Sequence, residues 1–152
     1  MKIKEIIIII MLISSSLVFS KEMKVIVMQM ENAPIYIEGD RSNGIVKKGI
    51  VIDLLSEFKK EYPKYEFVFI GLPQKGETLY LNISRMDVII PNPFQKEGKF
   101  PNFSWSESFG KSKIEWKFQI NEKEKEFKKE LDGFILQSKK DGLLEKITNK
   151  YK

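Results

Sequence analysis

Between Lys24 and Ile90 the apolar residues switch between two spacings in turn, and that alternation constrains the fold more than any other feature. Lys24 to Met30 is a short, almost wholly apolar run, the pattern of a strand buried on both faces. Glu31 to Lys48 is polar and turn-rich, holding Pro34, Gly39, Asn43 and Gly44. Val51, Leu54, Leu55, Phe58 and Tyr62 then recur at helical spacing, with Glu57, Lys59, Lys60 and Glu61 on the opposite side. Pro63 stops that helix, because its ring cannot continue the hydrogen-bond ladder. Tyr65 to Ile70 is rich in aromatic and β-branched residues and predicts a second strand. A short helix over 76–86 and a third strand over 87–90 follow, closed by Pro91, Asn92 and Pro93. Strand, helix, strand, helix, strand is the order of a right-handed parallel unit.

The rest of the chain is less regular. Residues 94–109 read as an aromatic loop, and 113–120 as a half-exposed strand with Ile114, Trp116, Phe118 and Ile120 on one face. Two helical stretches end the chain. Phe127, Leu131, Phe134 and Ile135 mark the first, Leu143, Leu144, Ile147 and Tyr151 the second, with a turn at Asp141–Gly142. At the other end Met1 to Lys4 is basic, Ile6 to Ile13 apolar, and Val18 and Ser20 are compact. This is the layout of a secretory signal peptide cut after Ser20. The apolar stretch falls short of the roughly 20 residues a bilayer span needs. The expected organisation is thus a signal peptide over 1–20 and one domain over 21–152, placed in the periplasm or outside the cell.

Composition removes whole classes of chemistry. The 152 residues include no Cys and no His, so disulfides, Cys/His zinc sites and histidine-based nucleophile arrangements are excluded. No carboxylates have calcium-loop spacing, and no cofactor is implied. The net charge of +5 comes almost entirely from lysines, Arg41 and Arg85 being the only arginines. Those lysines interleave with glutamates, as over 121–126, a pattern of solvated helix faces and not of a nucleic-acid reader.

Five short signals in order resemble one family. They are Ala33 to Tyr36, Gly49 to Leu55, Met86 to Ile90, Trp105 to Phe109, and Lys140 to Leu144 with its continuation to Tyr151. Together they are similar to the family 3 extracellular solute-binding proteins of bacterial transporters. That resemblance implies an α/β fold, a periplasmic-binding-protein-like (type II) lobe. It would be a mostly parallel three-layer α/β/α sheet with one late antiparallel crossover strand and C-terminal helices. Two-lobed members carry a whole second lobe between the crossover and the terminal helices. Only Gly110 to Glu126 stands there in this chain, so the second lobe is expected to be absent. Ser108 replaces the crossover proline, and Lys99 stands where amino-acid binders carry the arginine that clamps a ligand carboxylate. Lysine offers a point charge in place of a bidentate fork.

Ligands of open α/β sheets sit outside the carboxyl ends of the strands. There Tyr36 offers a stacking face, Asn92 and Pro93 a stiff loop with hydrogen-bonding groups, and Lys99 an anion anchor. Each has a structural alternative: a rim aromatic, a strand-ending turn, a solvated lysine. Asp53, at the head of a helix, reads as structural. The expected function is non-enzymatic binding of a small polar solute, amino-acid-like or an organic anion, for transport or sensing, with a membrane transporter as partner. The alternative is a cell-envelope interaction module that docks a protein through Tyr36, Phe94, Phe100, Phe103 and Trp105. A homodimer is a further candidate assembly. Trp105 and Trp116 read as core or seam residues.

Overall fold

The computed structural model describes residues 19–28, 48–72, 83, 85–90, 98–111 and 114–151. In chain order the elements are β1 (Lys21–Met28), α1 (Ile50–Glu61), β2 (Tyr65–Leu72), β3 (Val88–Ile89) and β4 (Phe103–Trp105). They continue with β5 (Gly110–Lys111), β6 (Glu115–Trp116), β7 (Gln119–Asn121), a 3-10 turn over 122–124, α2 (Lys125–Lys140) and α3 (Leu143–Asn149). Five strands form one sheet in the order β2-β1-β3-β7-β4. β1 runs parallel to β2 and to β3, whereas β7 runs antiparallel to both β3 and β4. Four strands therefore point one way and β7 alone is reversed. This is the mostly parallel sheet with one late antiparallel strand that the family resemblance implies.

Side chains alternate across this sheet, so paired residues share a face. Met23, Val25, Tyr65, Phe67, Val88 and Ile120 look toward the helices. Phe58 of α1 is the hub of that side. Its ring meets Tyr62 at 4.6 Å, Tyr65 at 5.7 Å, Phe127 at 5.6 Å and Phe134 at 5.4 Å. Phe127 and Phe134 belong to α2, so α1 and α2 cover the same face, and α3 packs on both. The helix expected over 76–86 lies largely outside the described residues; of those that are described, Ile83 and Met86 are buried. The helices end as the sequence predicts: Tyr62 caps α1 by donating its N–H to Phe58 O (2.9 Å), and Asp141–Gly142 separates α2 from α3.

Three local expectations are corrected. β1 begins at Lys21 and is not buried on both faces throughout, since the exposed Glu22 and Lys24 flank the buried Met23 and only from Val25 do two consecutive described residues lie buried. Residues 103–105, expected within a loop, form β4 on β7. The stretch 113–120 is not one half-exposed strand: β6 and β7 divide it, and Gln119, Ile120 and Asn121 are all buried. Alternation misleads there because β7 lies inside the sheet, between β3 and β4.

The segment that joins β4 to β7 has a definite build. Ser106 continues the ladder, donating its N–H to Phe118 O (2.9 Å) while its Oγ accepts from Phe118 N–H (2.9 Å). Four residues (106–109) separate β4 from β5, whereas two (117–118) separate β6 from β7. The mismatch is a bulge at Glu107–Ser108, and bulges bend and re-aim a strand. Asp132 of α2 holds it, accepting the Glu107 N–H at 2.7 Å. Beyond it the hairpin closes on itself, with Phe109 stacked on Phe118 at 4.5 Å and Trp116 laid over Gly110. Phe109, Trp116 and Phe118 are buried, so Trp116 is a core residue.

Candidate functional site

The carboxyl ends of β1, β2 and β3 lie at one end of the sheet, and ligands of such sheets are met there. Tyr36, Asn92 and Pro93 lie outside the described residues. Lys99 is described, on the loop that leads into β4. Its side chain is half exposed, and its ammonium stands 4.0 Å from Glu122 Oε1. An exposed pair that long contributes little and yields readily to another anion. Glu122 follows β7 and so lies toward the amino end of the parallel strands, whereas the backbone on either side of Lys99 is tied to a residue that faces Ile89 of β3.

That tie is Gln119, a residue the alternation placed on the polar side of an exposed strand. Gln119 opens β7, opposite Ile89, and is 1% exposed. Its Nε2 donates to Gly98 O (3.1 Å) and its Oε1 accepts the Phe100 N–H (2.8 Å). One buried amide thus fixes the backbone on both sides of Lys99. A buried glutamine must satisfy both ends of its amide, and here both go to the same loop. A polar residue between two apolar ones, Phe118 and Ile120, is a weak signal in sequence because exposed strands show it too.

A second cluster fixes the head of α1. Gly49 has φ 147° and ψ 166°, a conformation open only to glycine, and it turns the chain into the helix. Its N–H donates to the Tyr151 hydroxyl (3.3 Å), which donates in turn to Asp53 Oδ2 (2.9 Å). Lys150 reaches the same oxygen at 2.7 Å. That hydrogen bond, above all, raises the Lys150 pKa from its ordinary value. Asp53 and the terminal Lys150–Tyr151 pair, two of the motif signals read from the sequence, therefore meet in space and hold the start of α1 to the end of the chain. The structural reading of Asp53 fits this arrangement.

The buried carboxylates sit at the opposite end of the sheet. Asp87 accepts the Lys24 N–H (2.8 Å) and pairs with Lys123 (2.8 Å), and Glu124 pairs with Lys21. Asn121 joins them, donating its N–H to Asp87 O (2.9 Å) and its Nδ2 to Met86 O (3.0 Å). These groups clip β1, β3, β7 and the start of α2 together. Each of these carboxylates is engaged by a cation or a backbone donor. Among the described residues no three acidic side chains gather into a cation site.

Of the aromatic surface read as a docking face, Phe103 is fully buried, and Phe100 and Trp105 are partly so. Phe100 packs edge-on against Phe103 at 6.5 Å. Tyr36 and Phe94 lie outside the described residues. The loss of Phe103 to the core follows from β4, which turns an expected loop aromatic into a strand residue of the sheet.

No protein-family model matches the sequence, and no curated protein matches it. Solved structures do match. One is the probable amino-acid ABC transporter extracellular-binding protein ytmK from Bacillus subtilis, 11% identical, with 87% of this chain and 97% of that chain covered and a TM-score of 0.62. An ancestral cationic amino acid solute-binding protein is 14% identical over 86% of this chain and 95% of that one, with a TM-score of 0.55. Domain 1 from TmArgBP, in its arginine-bound form, is 14% identical over 76% and 92%, with a TM-score of 0.52. At such identities the likeness speaks for the fold. The chain has the α/β fold of a lobe of the extracellular amino-acid solute-binding proteins.

Proposed function

We propose that the chain is exported, loses residues 1–20, and works as a single-lobed, non-enzymatic binder of a small polar solute, amino-acid-like or an organic anion. The solute would lie at the carboxyl ends of β1, β2 and β3. Tyr36 would supply a flat contact, Asn92 and the Pro93 loop hydrogen bonds, and Lys99 a charge for an anionic group. The captured solute would pass to a membrane transporter or sensor.

The observation that carries this reading is the lobe itself, similar over most of its length to amino-acid-binding proteins. A missing lobe is a physical objection, because pockets usually bury most of a ligand's surface. Two observations weigh against that objection. One similar structure is an isolated domain 1 in an arginine-bound form. In addition, Phe109, Trp116 and Phe118 of the 106–118 ribbon are buried within this chain, and Asp132 of α2 anchors the ribbon, which supports a lobe that packs by itself. A cut after Ser20 would leave the whole of β1, which begins at Lys21, in the mature chain.

The test is a fluorescence titration of the exported chain with free L-amino acids and with small dicarboxylates, repeated on Lys99→Ala and Tyr36→Ala. Saturable binding by one solute class, weakened about tenfold or more by either substitution, is the expected outcome; about 1.4 kcal/mol corresponds to that factor. Saturable binding untouched by both would place the ligand elsewhere on the lobe. Docking of an envelope protein in place of a solute has less support, since Phe103, one of the aromatics of that expected surface, belongs to the core.

A further inference from the structure

The outer edge of the sheet has a self-complementary stretch. β2 is the terminal strand in the order β2-β1-β3-β7-β4, and among the described residues nothing pairs with its outer side. The direction of its peptide groups follows from the parallel ladder. Lys21 donates its N–H to Lys64 O at 2.6 Å, so Lys64 turns its peptide groups toward β1. Alternation then turns 66, 68 and 70 inward and 67 and 69 outward. The Tyr65 N–H is taken by Tyr62 O (3.2 Å), so the free edge starts at Phe67.

A second copy of β2 laid antiparallel about Val68 meets these groups in register. Phe67 of one copy faces Phe69 of the other and the two exchange both N–H···O bonds; the symmetric pair does the same. Val68 then meets its own symmetry mate as a close, non-hydrogen-bonded pair. Val68 is one of the few large apolar side chains that stand exposed among the described residues, at 38%. On the helix side, Phe67 and Phe69 border a groove of about 170 Å³ between β2 and α1, lined also by Ile52 and Leu55. The cross-strand Phe67–Phe69 pairs would fall beside that groove, and aromatic pairs across a strand interface are favourable. Among the described residues the Lys59–Glu66 ion pair reaches around this edge, and both its partners are well exposed. Pairs of that kind contribute little and yield.

We propose that β2 is a homodimer interface, in which two copies of this chain pair antiparallel about Val68 to make one continuous sheet. The occupant is a second copy because the stretch Phe67–Val68–Phe69 reads the same in both directions. The test is sedimentation equilibrium of the exported chain, alongside Val68→Lys and Val68→Glu, with circular dichroism to verify folding. The wild type should associate to a dimer with rising concentration, and each variant alone should remain a folded monomer, because like charges would meet at the two-fold axis. Mixing the two variants should restore the dimer, now as a heterodimer. A wild type that stays monomeric, a dimer that survives in Val68→Lys, or variants that do not associate when mixed would each overturn the proposal.

Discussion

At the residue scale, Gly110 leaves no room for a side chain. A methyl group there would meet Trp116 Cε3 at 2.3 Å, far inside contact distance. The indole is itself buried, so it has little room to retreat. Gly110→Ala is expected to cost about 1–3 kcal/mol, as overpacking of a core does, and to lower the melting temperature. An unchanged melt would mean that the indole is not seated on Gly110. Neither partner announces this contact in sequence: a glycine after Phe109 reads as a turn, and Trp116 as one member of an alternating strand. Gln119 was equally hidden, because a buried amide and a solvent-facing one look alike between two apolar neighbours. Asp53 was legible as structural, since a carboxylate near the start of a helix has a local reason to be there. Its partners Lys150 and Tyr151, about a hundred residues later, are brought to it by the fold alone.

At the scale of elements, Phe58 links α1, β2 and α2 through rings from each. Phe58→Ala is expected to cost about 3–5 kcal/mol by urea denaturation, the range for a large aromatic lost from a core. Tyr62→Ala, at the half-buried end of α1, should cost distinctly less. Equal costs would remove Phe58 from its place as hub. Helix α1 and strand β2 were legible within a residue or two because their periods are clean and Pro63 separates them. The region 103–121 was not, because its strands are two or three residues long and its bulge breaks the alternation at Glu107–Ser108. Short strands carry too few repeats of their period to be told from loop.

The charges on the helix side belong to this scale as well. Burial and a hydrogen bond to Glu130 raise the Tyr65 pKa, hydrogen bonds to Glu126 and Glu130 raise that of Lys64, and a hydrogen bond to Asp53 raises that of Lys150. In all three the folded state favours the protonated form. Their stabilisation is complete below the ordinary tyrosine and lysine values, about 10, and is lost as pH rises through the folded values. Hydrogen bonds to Lys64 and Lys117 lower the pKa values of Glu126 and Glu115, so their contribution holds above the ordinary carboxylate range and is lost as pH falls. Thermal melts should therefore show a plateau from about pH 5 to about pH 10 with a fall on either side. Tyr65→Phe, which cannot ionise, should soften the alkaline fall. A melt that declines steadily from pH 7 to 9 would contradict this assignment.

At the scale of the whole molecule, the fold class was readable because five weak signals kept the order of a known lobe, and the solved structures share that fold. Whether one lobe suffices is a question about the molecule and not about any residue. Its described contacts in the 106–118 ribbon and between Asp53 and Lys150–Tyr151 are internal to this lobe. The most direct measurement is a thermal-shift series on the exported chain with L-arginine, other free L-amino acids and small organic anions. A solute at a hundred times its dissociation constant adds about 2.7 kcal/mol of apparent stability, which for a domain of this size is a rise of several degrees. The account predicts such a rise for one solute class. A cooperative melt that no member of the series shifts would contradict solute binding by the single lobe.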